Sequence, residues 1–335
     1  MRERAMLEVA VSAYAHADDD RGWLEKIVRA AAPRMDAGLG VMGWTFRPPH
    51  FMPENVVGVG GAENLVEACL ATTAAMAAAS SETLSRAFTA PRVLDTASEL
   101  ARRSVGVDVD ELPGFVEHAH PAGLRDFLGV RAICPSGVGV CLGAPLPAKA
   151  RTKRSEREAW MRPAAHVLSG LRLRSNARPP SLDDAEAILE PGGGVVHARE
   201  GAVDERAALR RAAVAFDRAR ARRAQERPDE ALEAFRALVS GRWSVVDVFD
   251  TDGRRFLVAC KNDPDVPGHA LLTRRETQVA CYVALGHPLK YISYELGVPI
   301  ASVGRDVRAA VAKLGLRAPA ELVSLLAPFA PPSDG

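Results

Sequence analysis

Two apolar stripes near the end of the chain predict a pair of short helices. The stripe positions repeat at helical spacing, first at Leu289, Ile292, Ser293 and Leu296, then at Val303, Val307, Ala310, Val311 and Leu314. Gly297 and Gly315 each follow a stripe, where a left-handed residue commonly ends a helix. Pro299 favours an extended conformation at Val298. The pattern therefore predicts two helices joined by a sharp turn.

A third helix is predicted just before this pair. Thr273 and Glu276 have the spacing of a capping box, and Gly286 follows the helix that they begin. Pro288 suits the first position of the next helix because that position needs no amide hydrogen. The segment is therefore expected to form a compact helical unit with a helix-turn-helix at its centre.

The second helix of the pair would turn a basic face outward. If its valines and Ala310 pack inward, then Ser302, Arg305, Arg308 and Ala312 face solvent. Such a helix fits the major groove of DNA, where arginine pairs with guanine. Residues 271–318 hold seven Lys or Arg and three Asp or Glu, a net charge of +4, whereas the whole chain carries +1. An ordinary amphipathic helix with solvated arginines is the alternative.

The same segment resembles the DNA-binding domain of LuxR-type (GerE-type) bacterial transcription regulators. The matching positions are Leu272, Thr273, Arg275, Glu276, Val279, Gly286, Lys290, Ile292, Leu296, Gly297, Val298, Ser302, Val303, Lys313, Leu314 and Gly315. The resemblance covers about fifty residues in one register. It implies four helices, of which the third reads the major groove and the fourth, from Pro319 to about Leu326, often joins two subunits.

By position, the resemblance assigns two sets of DNA contacts. The base-reading positions would be Gly304, Arg305 and Arg308, and the contacts to the DNA backbone would be Lys290, Ser302, Lys313 and Arg317. Three residues depart from the family pattern. Pro299 replaces a small polar helix cap, Gly304 offers no side chain, and Asp306 brings a carboxylate where a histidine or a neutral polar residue is common.

Length and composition limit the remaining possibilities. A chain of 335 residues with 47% hydrophobic residues suggests two or three domains with substantial cores. Five cysteines without paired spacing favour reduced thiols in the cytoplasm. The sequence has no apolar run of eighteen residues and no leader pattern at its start. We therefore expect a cytoplasmic protein without a membrane partner.

The first 178 residues predict an antiparallel sheet flanked by helices. A helical pattern runs from Arg21 to Pro33, strands are predicted at 38–46 and 55–60, and an alanine-rich helical stretch covers 62–88. A hairpin is predicted in 125–146 around Pro135–Gly137, followed by a helix through Trp160 to Leu171. This order is similar to that of a GAF domain, a small-molecule sensor. The resemblance implies a pocket between sheet and helices, with Trp44, Phe46 and Cys134 as candidate lining residues, although each could be ordinary core.

Residues 181–262 predict a smaller α+β unit that resembles a reduced PAS domain. Two short strands flank Pro191–Gly194, helices are predicted at 204–223 and 229–239, and Asp252-Gly253 favours the tight turn of a last hairpin. Residues 263–270, rich in Pro, Gly and Asp, read as a linker into a helix-turn-helix domain at 271–327, with a tail at 328–335. The arginines of 206–223 could contact phosphates or a partner, but interspersed acids favour a solvated face.

The candidate chemistry elsewhere is sparse. His118 and His120 could join Cys134 and Cys141 in a metal site, or Cys134 could act as a nucleophile with one of the histidines. No positioned base, oxyanion donor or fourth ligand is recognisable, and the glycine-rich stretch at 192–194 lacks the lysine and hydroxyl of a phosphate-binding loop. We therefore expect no metal, no cofactor and no enzymatic activity.

Together these patterns predict an α+β multidomain protein that regulates transcription. A GAF-like sensor, a PAS-like middle unit and a four-helix LuxR-type domain would act as a homodimer on double-stranded DNA, and a small-molecule or protein effector would bind the N-terminal domains. The alternative is a sensory or protein-interaction adaptor whose helix-turn-helix no longer binds DNA tightly.

Overall fold

The computed structural model describes residues 2–175, 181–183, 185–221, 228–234, 238–250 and 252–326. These residues form an α+β protein with two antiparallel five-stranded sheets and a helical C-terminal unit. The coarse prediction of an α+β fold is therefore confirmed. The predicted boundary after residue 178 and the predicted tail at 328–335 lie outside the described residues.

The first sheet contains the hairpin that the sequence predicted. Its strands are β1 (Val41–Phe46), β2 (Glu54–Val59), β3 (Leu94–Thr96), β4 (Asp126–Ile133) and β5 (Gly139–Leu146), in the order β2-β1-β5-β4-β3. The register of the β4–β5 hairpin runs from Ile133 opposite Gly139 to Asp126 opposite Leu146. A side chain on Gly139 would collide with the ring of Phe46, so a glycine is required there.

Helices cover both faces of this sheet. One face packs against α1 (Arg2–Ser12), α2 (Asp20–Met35) and α6 (Arg154–Ser175), through residues such as Val41, Val130 and Leu142. The other face lies under α3 (Val66–Ala79), α4 (Ser81–Phe88), α5 (Ala97–Ser104) and a π-helical turn at Phe115–Ala119. Alternation along the strands explains the split, because Met42, Trp44 and Phe46 point to the second face. The helix predicted to end at Pro33 continues two residues further, to Met35.

The second sheet has the same strand order as the first. Its strands are β6 (Ala187–Leu189), β7 (Val195–Ala198), β8 (Leu238–Val239), β9 (Trp243–Phe249) and β10 (Arg255–Lys261), in the order β7-β6-β10-β9-β8. Counted along the chain, both sheets run second, first, fifth, fourth, third. The helices of this unit are α7 (Glu200–Val203), α8 (Arg206–Arg220) and α9 (Pro228–Ala234).

One helix prediction in this unit was wrong at its end. The helix expected to run to Val239 is described only to Ala234, and Leu238–Val239 form strand β8. Val239 pairs with Trp243, and Leu238 pairs with Ser244. A short apolar run suits a helix or a strand equally by periodicity, and here the pairing with β9 decides.

The C-terminal unit has the four helices that the sequence predicted. They are α10 (Arg274–Ala284), α11 (Leu289–Leu296), α12 (Ile300–Lys313) and α13 (Glu321–Leu326). The capping box at Thr273 and Glu276 is formed in both directions. The glycines after α10, α11 and α12 all have positive φ, +76° at Gly286, +60° at Gly297 and +67° at Gly315. Pro288 caps α11 instead of occupying its first position.

Helix α6 lies at the centre of the molecule. Its Ser169 Oγ is 2.9 Å from Ser244 Oγ of β9, and Asn262 Nδ2 donates to Ser169 Oγ at 2.8 Å. A continuous apolar core extends from the first sheet through Trp160 and Leu168 of α6 to Trp243 of the second sheet. The two sheets therefore share one core through α6. In the part of the chain that is described, no helix is long and apolar enough to cross a bilayer.

Candidate nucleic-acid interface and its attachment to the rest of the chain

Helix α12 presents an exposed basic face. Val303, Val307 and Ala310 are buried against the core of the helical unit. The helical period therefore turns Arg305 and Arg308 to the opposite side, where both are exposed. Ala312 is exposed one turn further on. Helix α12 packs mainly on α10 and α11, and it shares a small apolar cluster with Leu322 of α13, whereas its outer face is exposed.

The side chains on this face support one another. Arg305 Nη2 donates to Ser302 Oγ at 2.9 Å, which holds the guanidinium over the first turn. Gly304 leaves a gap beside it, since a Cβ there would meet only Arg308 Nη1, at 3.7 Å. Arg308 therefore lies back along the helix over Gly304. The Arg308 guanidinium therefore covers the space that a side chain at Gly304 would fill.

The two other departures from the family pattern have structural explanations. Pro299 caps α12 without a side-chain hydrogen bond, so the helix start offers backbone amides to an external acceptor. Asp306 is partly buried, and burial raises its pKa while the nearby Arg275 opposes that change. The charge of Arg305 opposes the change as well, so the Asp306 carboxylate is partly compensated by two arginines.

The four predicted backbone contacts differ in their availability. Lys313 Nζ binds both carboxylate oxygens of Glu276, at 2.9 and 2.7 Å, and this ion pair lowers the pKa of Glu276. Lys290 Nζ lies 3.6 Å from Glu158 Oε2 of α6. Ser302 already accepts a bond from Arg305. Arg317 is exposed in the turn after α12.

A buried ion pair joins the helix-turn-helix to α6. Arg172 Nη1 of α6 is 2.9 Å from Glu295 Oε2 of α11, and both side chains are almost completely buried. Tyr282 and Tyr291 donate their hydroxyl hydrogens to the same carboxylate, at 3.2 and 3.0 Å. The three donors compensate the burial of the Glu295 charge. Sequence reasoning missed this site, although an acid inside the apolar stripe of α11 was a visible signal.

A second contact attaches the helix-turn-helix corner to the loop after β8. Gly241 N donates to Leu296 O at 2.6 Å, and Gln278 Nε2 donates to Gly241 O at 3.2 Å. Arg275 donates to Ser240 O. Gly297 fits against Leu238 so tightly that a Cβ would lie 2.2 Å from the carbonyl oxygen. Arg275 and Gln278 of α10 therefore help to hold the unit on the second sheet.

A third contact joins the helix-turn-helix to the first unit. Gly286, between α10 and α11, lies against Pro91, whose Cβ would be 2.7 Å from a Cβ at Gly286. The ring of His287 is buried and lies 4.6 Å from that of Tyr291, measured between centroids. Burial lowers the pKa of His287 to about 4. The turn is therefore packed around a neutral imidazole.

A cavity of about 150 Å³ lies between the first sheet and the helices on its second face. Trp44 lines it, together with Phe127, Arg131 and Cys141 from the same face of the sheet. Phe46 instead packs on Phe88, with ring centroids 4.7 Å apart. Of the three predicted pocket residues, Trp44 borders this cavity, whereas Phe46 and Cys134 are not among its lining residues.

Cys134 lies on the other face of the sheet, whereas His120 packs on Phe115 beside the cavity. Its Sγ is 2.9 Å from Ser136 Oγ and donates to Val138 O at 3.1 Å, and burial raises its pKa. His120 Nε2 lies 3.0 Å from Asp110 Oδ1. Across the described ranges, no group of three or more His, Cys, Asp or Glu is arranged to hold a metal ion. A protonated thiol in apolar surroundings is a poor nucleophile.

No protein-family model matches this chain, and no curated protein matches its sequence.

Proposed function

We propose that this protein is a DNA-binding transcription regulator that reads duplex DNA with α12. The observation that carries the proposal is the pair of exposed guanidinium groups, Arg305 and Arg308, on the second helix of a helix-turn-helix. Arginine at such positions makes paired hydrogen bonds to guanine in the major groove. The excess positive charge of residues 271–318 suits attraction to phosphates. The resemblance to LuxR-type domains supports the same conclusion.

The attachment of the helical unit supports control by the rest of the chain. The contacts to α6, to the loop after β8 and to Pro91 all involve α10, α11 or the turns that flank α11. They leave the outer face of α12 uncovered. A GAF-like and a PAS-like unit would thus fix α10 and α11 in place while α12 stays available for DNA. An effector that binds more tightly to one arrangement of the helical unit on the rest of the chain would change the fraction of molecules that can bind DNA.

Dimer formation through α13 is part of this proposal. Val323 and Leu325 of α13 are 43% and 53% exposed. The family resemblance implies that this helix often joins two subunits. Two reading helices placed about one helical turn of DNA apart would then contact two half-sites.

A sensory adaptor that has lost tight DNA binding is the second candidate. The engagement of Lys290 and Lys313 in ion pairs inside the protein favours it, because both lysines were expected to contact the DNA backbone. An adaptor would use the same exposed arginines for an acidic protein partner. Measured DNA affinity separates the two candidates.

Fluorescence anisotropy with pooled genomic duplex fragments from the source organism tests the proposal. Arg305→Ala and Arg308→Ala should each weaken binding by about 5- to 150-fold, the range for loss of one paired contact to guanine. Arg29→Ala is the matched control, because Arg29 is an exposed helical arginine on α2 that pairs with Glu25. The control should bind like the parent.

Equal affinities for all four proteins would overturn the assignment of α12 as the reading helix. No binding by the parent at low salt would favour the adaptor.

A further inference from the structure

The cavity of the first unit has the size of a single aromatic ring. It lies between strands β1, β4 and β5 on one side and α3, α4, α5 and the π-helical turn on the other. An apolar cavity of about 150 Å³ is known to admit benzene. Leu84, Phe88 and Phe115 give its walls an apolar character. A ligand of six to ten heavy atoms is therefore the expected size.

Two residues of the cavity wall each carry one buried nitrogen without a hydrogen-bond partner among the described residues. Arg131 is 6% exposed and Trp44 is 9% exposed. Arg131 Nε and Trp44 Nε1 are buried, and among the described residues neither donates a hydrogen bond. Buried donors are nearly always satisfied in folded proteins. An acceptor supplied from outside the chain would satisfy them.

The charge around Arg131 favours an anion. Arg131 Nη2 donates to Asp95 Oδ2 at 2.8 Å, while Arg103 binds both oxygens of the same carboxylate, at 2.8 and 2.6 Å. Arg92 Nη1 also lies 3.6 Å from Asp95 Oδ1. One buried carboxylate thus serves three guanidinium groups, which leaves a positive charge beside the cavity. Burial raises the pKa of the neighbouring Cys141 to about 12, so that thiol stays neutral and does not repel an anion.

We propose that this cavity binds a small aromatic carboxylate, with the ring against Phe88 and Phe115 and the carboxylate facing Arg131 and Trp44. The binding step stands by itself, and its regulatory meaning rests on the proposed function. The carboxylate would bring acceptors to the two unpaired donors and would neutralise the surplus arginine charge. The ring would fill the apolar space.

A short path leads from this cavity to the DNA-binding unit. Leu84 and Phe88 of α4 line the cavity, and three residues after Phe88 the chain reaches Pro91, which packs on Gly286. A ligand that moves α4 would press or release Pro91 against the turn between α10 and α11. That turn also carries His287, which packs on Tyr291. The occupancy of the cavity would thereby bias how the helix-turn-helix is held.

Isothermal titration calorimetry of the full chain with benzoate tests the binding step, with benzamide as the neutral probe of equal shape. Benzoate should bind at least tenfold more tightly than benzamide. Trp44→Phe removes the indole N–H and should weaken benzoate binding by about tenfold. Gly129→Val should abolish it, because Gly129 lines the cavity and the added methyl groups would occupy it. Valine also suits a strand.

Two further variants keep the result interpretable. Gly192→Val is the matched control, since Gly192 lies outside the cavity and a Cβ there would meet no atom within 4 Å, so fold and binding should both be preserved. If Gly129→Val fails to fold by circular dichroism, Cys69→Leu fills the cavity from α3 instead. Hydrogen exchange of residues 284–292 with and without saturating benzoate tests the path through Pro91.

The outcomes are separable from those of the DNA-binding experiment. Equal affinity for benzoate and benzamide would refute the claim that the ligand is a carboxylate. Benzoate binding that survives both cavity-filling variants would refute the assignment of the binding site to this cavity. Absence of any binding by the parent would overturn the whole inference. Unchanged hydrogen exchange of residues 284–292 in the benzoate-bound protein would refute the coupling through Pro91. Failure of DNA binding alone would leave the ligand site standing and would refute the proposed function.

Discussion

The corner between α11 and α12 offers a sharp test of how the helix-turn-helix is attached. Gly297 has φ +60° and Gly315 has φ +67°, so alanine imposes similar backbone strain at both positions. Their surroundings differ. A Cβ at Gly297 would lie 2.2 Å from Leu238 O, whereas a Cβ at Gly315 would meet no atom within 4 Å. Gly315→Ala is therefore a matched control for Gly297→Ala.

The expected cost follows from these surroundings. Left-handed backbone costs a non-glycine residue about 1–2 kcal/mol, which both variants share. At Gly297 the corner must also move away from β8 by about 1 Å to restore a normal contact with the carbonyl oxygen. That movement would break the 2.6 Å bond from Gly241 N to Leu296 O, worth about 1 kcal/mol, and would add overpacking strain of about 1–3 kcal/mol. Gly297→Ala should thus destabilise by about 2–4 kcal/mol more than Gly315→Ala.

Urea denaturation followed by tryptophan fluorescence measures the difference, and hydrogen exchange locates it. Exchange should accelerate in α11 and in the loop 238–241 for Gly297→Ala, and in neither segment for Gly315→Ala. If the two variants unfold at the same urea concentration and exchange alike, the helix-turn-helix is not held on the second sheet as described.

Two other predictions concern the same attachment. Glu295→Leu should destabilise the protein by about 3–5 kcal/mol because it leaves Arg172 buried without its carboxylate. Adding Arg172→Met should recover most of that loss. If urea denaturation shows that the losses of the two single variants add in the double variant, the two side chains are not directly coupled. The second prediction concerns His287, whose pKa burial lowers to about 4, below its unfolded value near 6.5. The stability that the neutral imidazole gives the folded protein is therefore complete above pH 6.5 and is lost as the pH falls toward 4. This loss of unfolding free energy amounts to about 3 kcal/mol. His287→Phe, with its phenyl ring between Tyr282 and Tyr291, should remove the loss from the pH dependence of unfolding. Identical acid unfolding profiles for the parent and the variant would contradict a buried neutral imidazole.

Local signals in the sequence were sufficient for the helix-turn-helix. The capping box at Thr273, the glycines after each helix and the apolar stripes all act within a few residues, and the structure has helices at those places. The β4–β5 hairpin was equally visible, since its turn residues and strand patterns are adjacent. Elements of this kind are determined by short-range preferences.

Elements that depend on distant partners were missed. Strand β3 has only three residues, and it is defined by pairing with β4 more than thirty residues later. Helix α1 was not predicted because its amphipathic signal is weak, and it packs between α2, α6 and α9. The error at Leu238–Val239 has the same origin. Tertiary contacts decided these segments, and a single sequence does not show them.

The candidate sites divide in the same way. Arg305 and Arg308 follow from helical period, so their exposure could be worked out in advance. The ion pairs of Lys290 with Glu158 and of Lys313 with Glu276 join residues far apart in the chain. The cavity lining likewise combines Trp44 with residues from four helical segments. Pairings of this kind depend on the packed fold. The sequence analysis named Trp44 as a pocket residue, but it identified neither the ion pairs nor the helical residues of the lining.

The dependence of DNA affinity on salt is the most direct test of the central claim that α12 docks on duplex DNA. Binding of the parent protein to pooled genomic duplex is measured by anisotropy across a series of salt concentrations. The account predicts that the logarithm of the association constant falls linearly with the logarithm of salt, with a slope of about −0.9 for each phosphate contacted. A parent protein with no measurable binding at low salt, or with an affinity that does not change with salt, would contradict it.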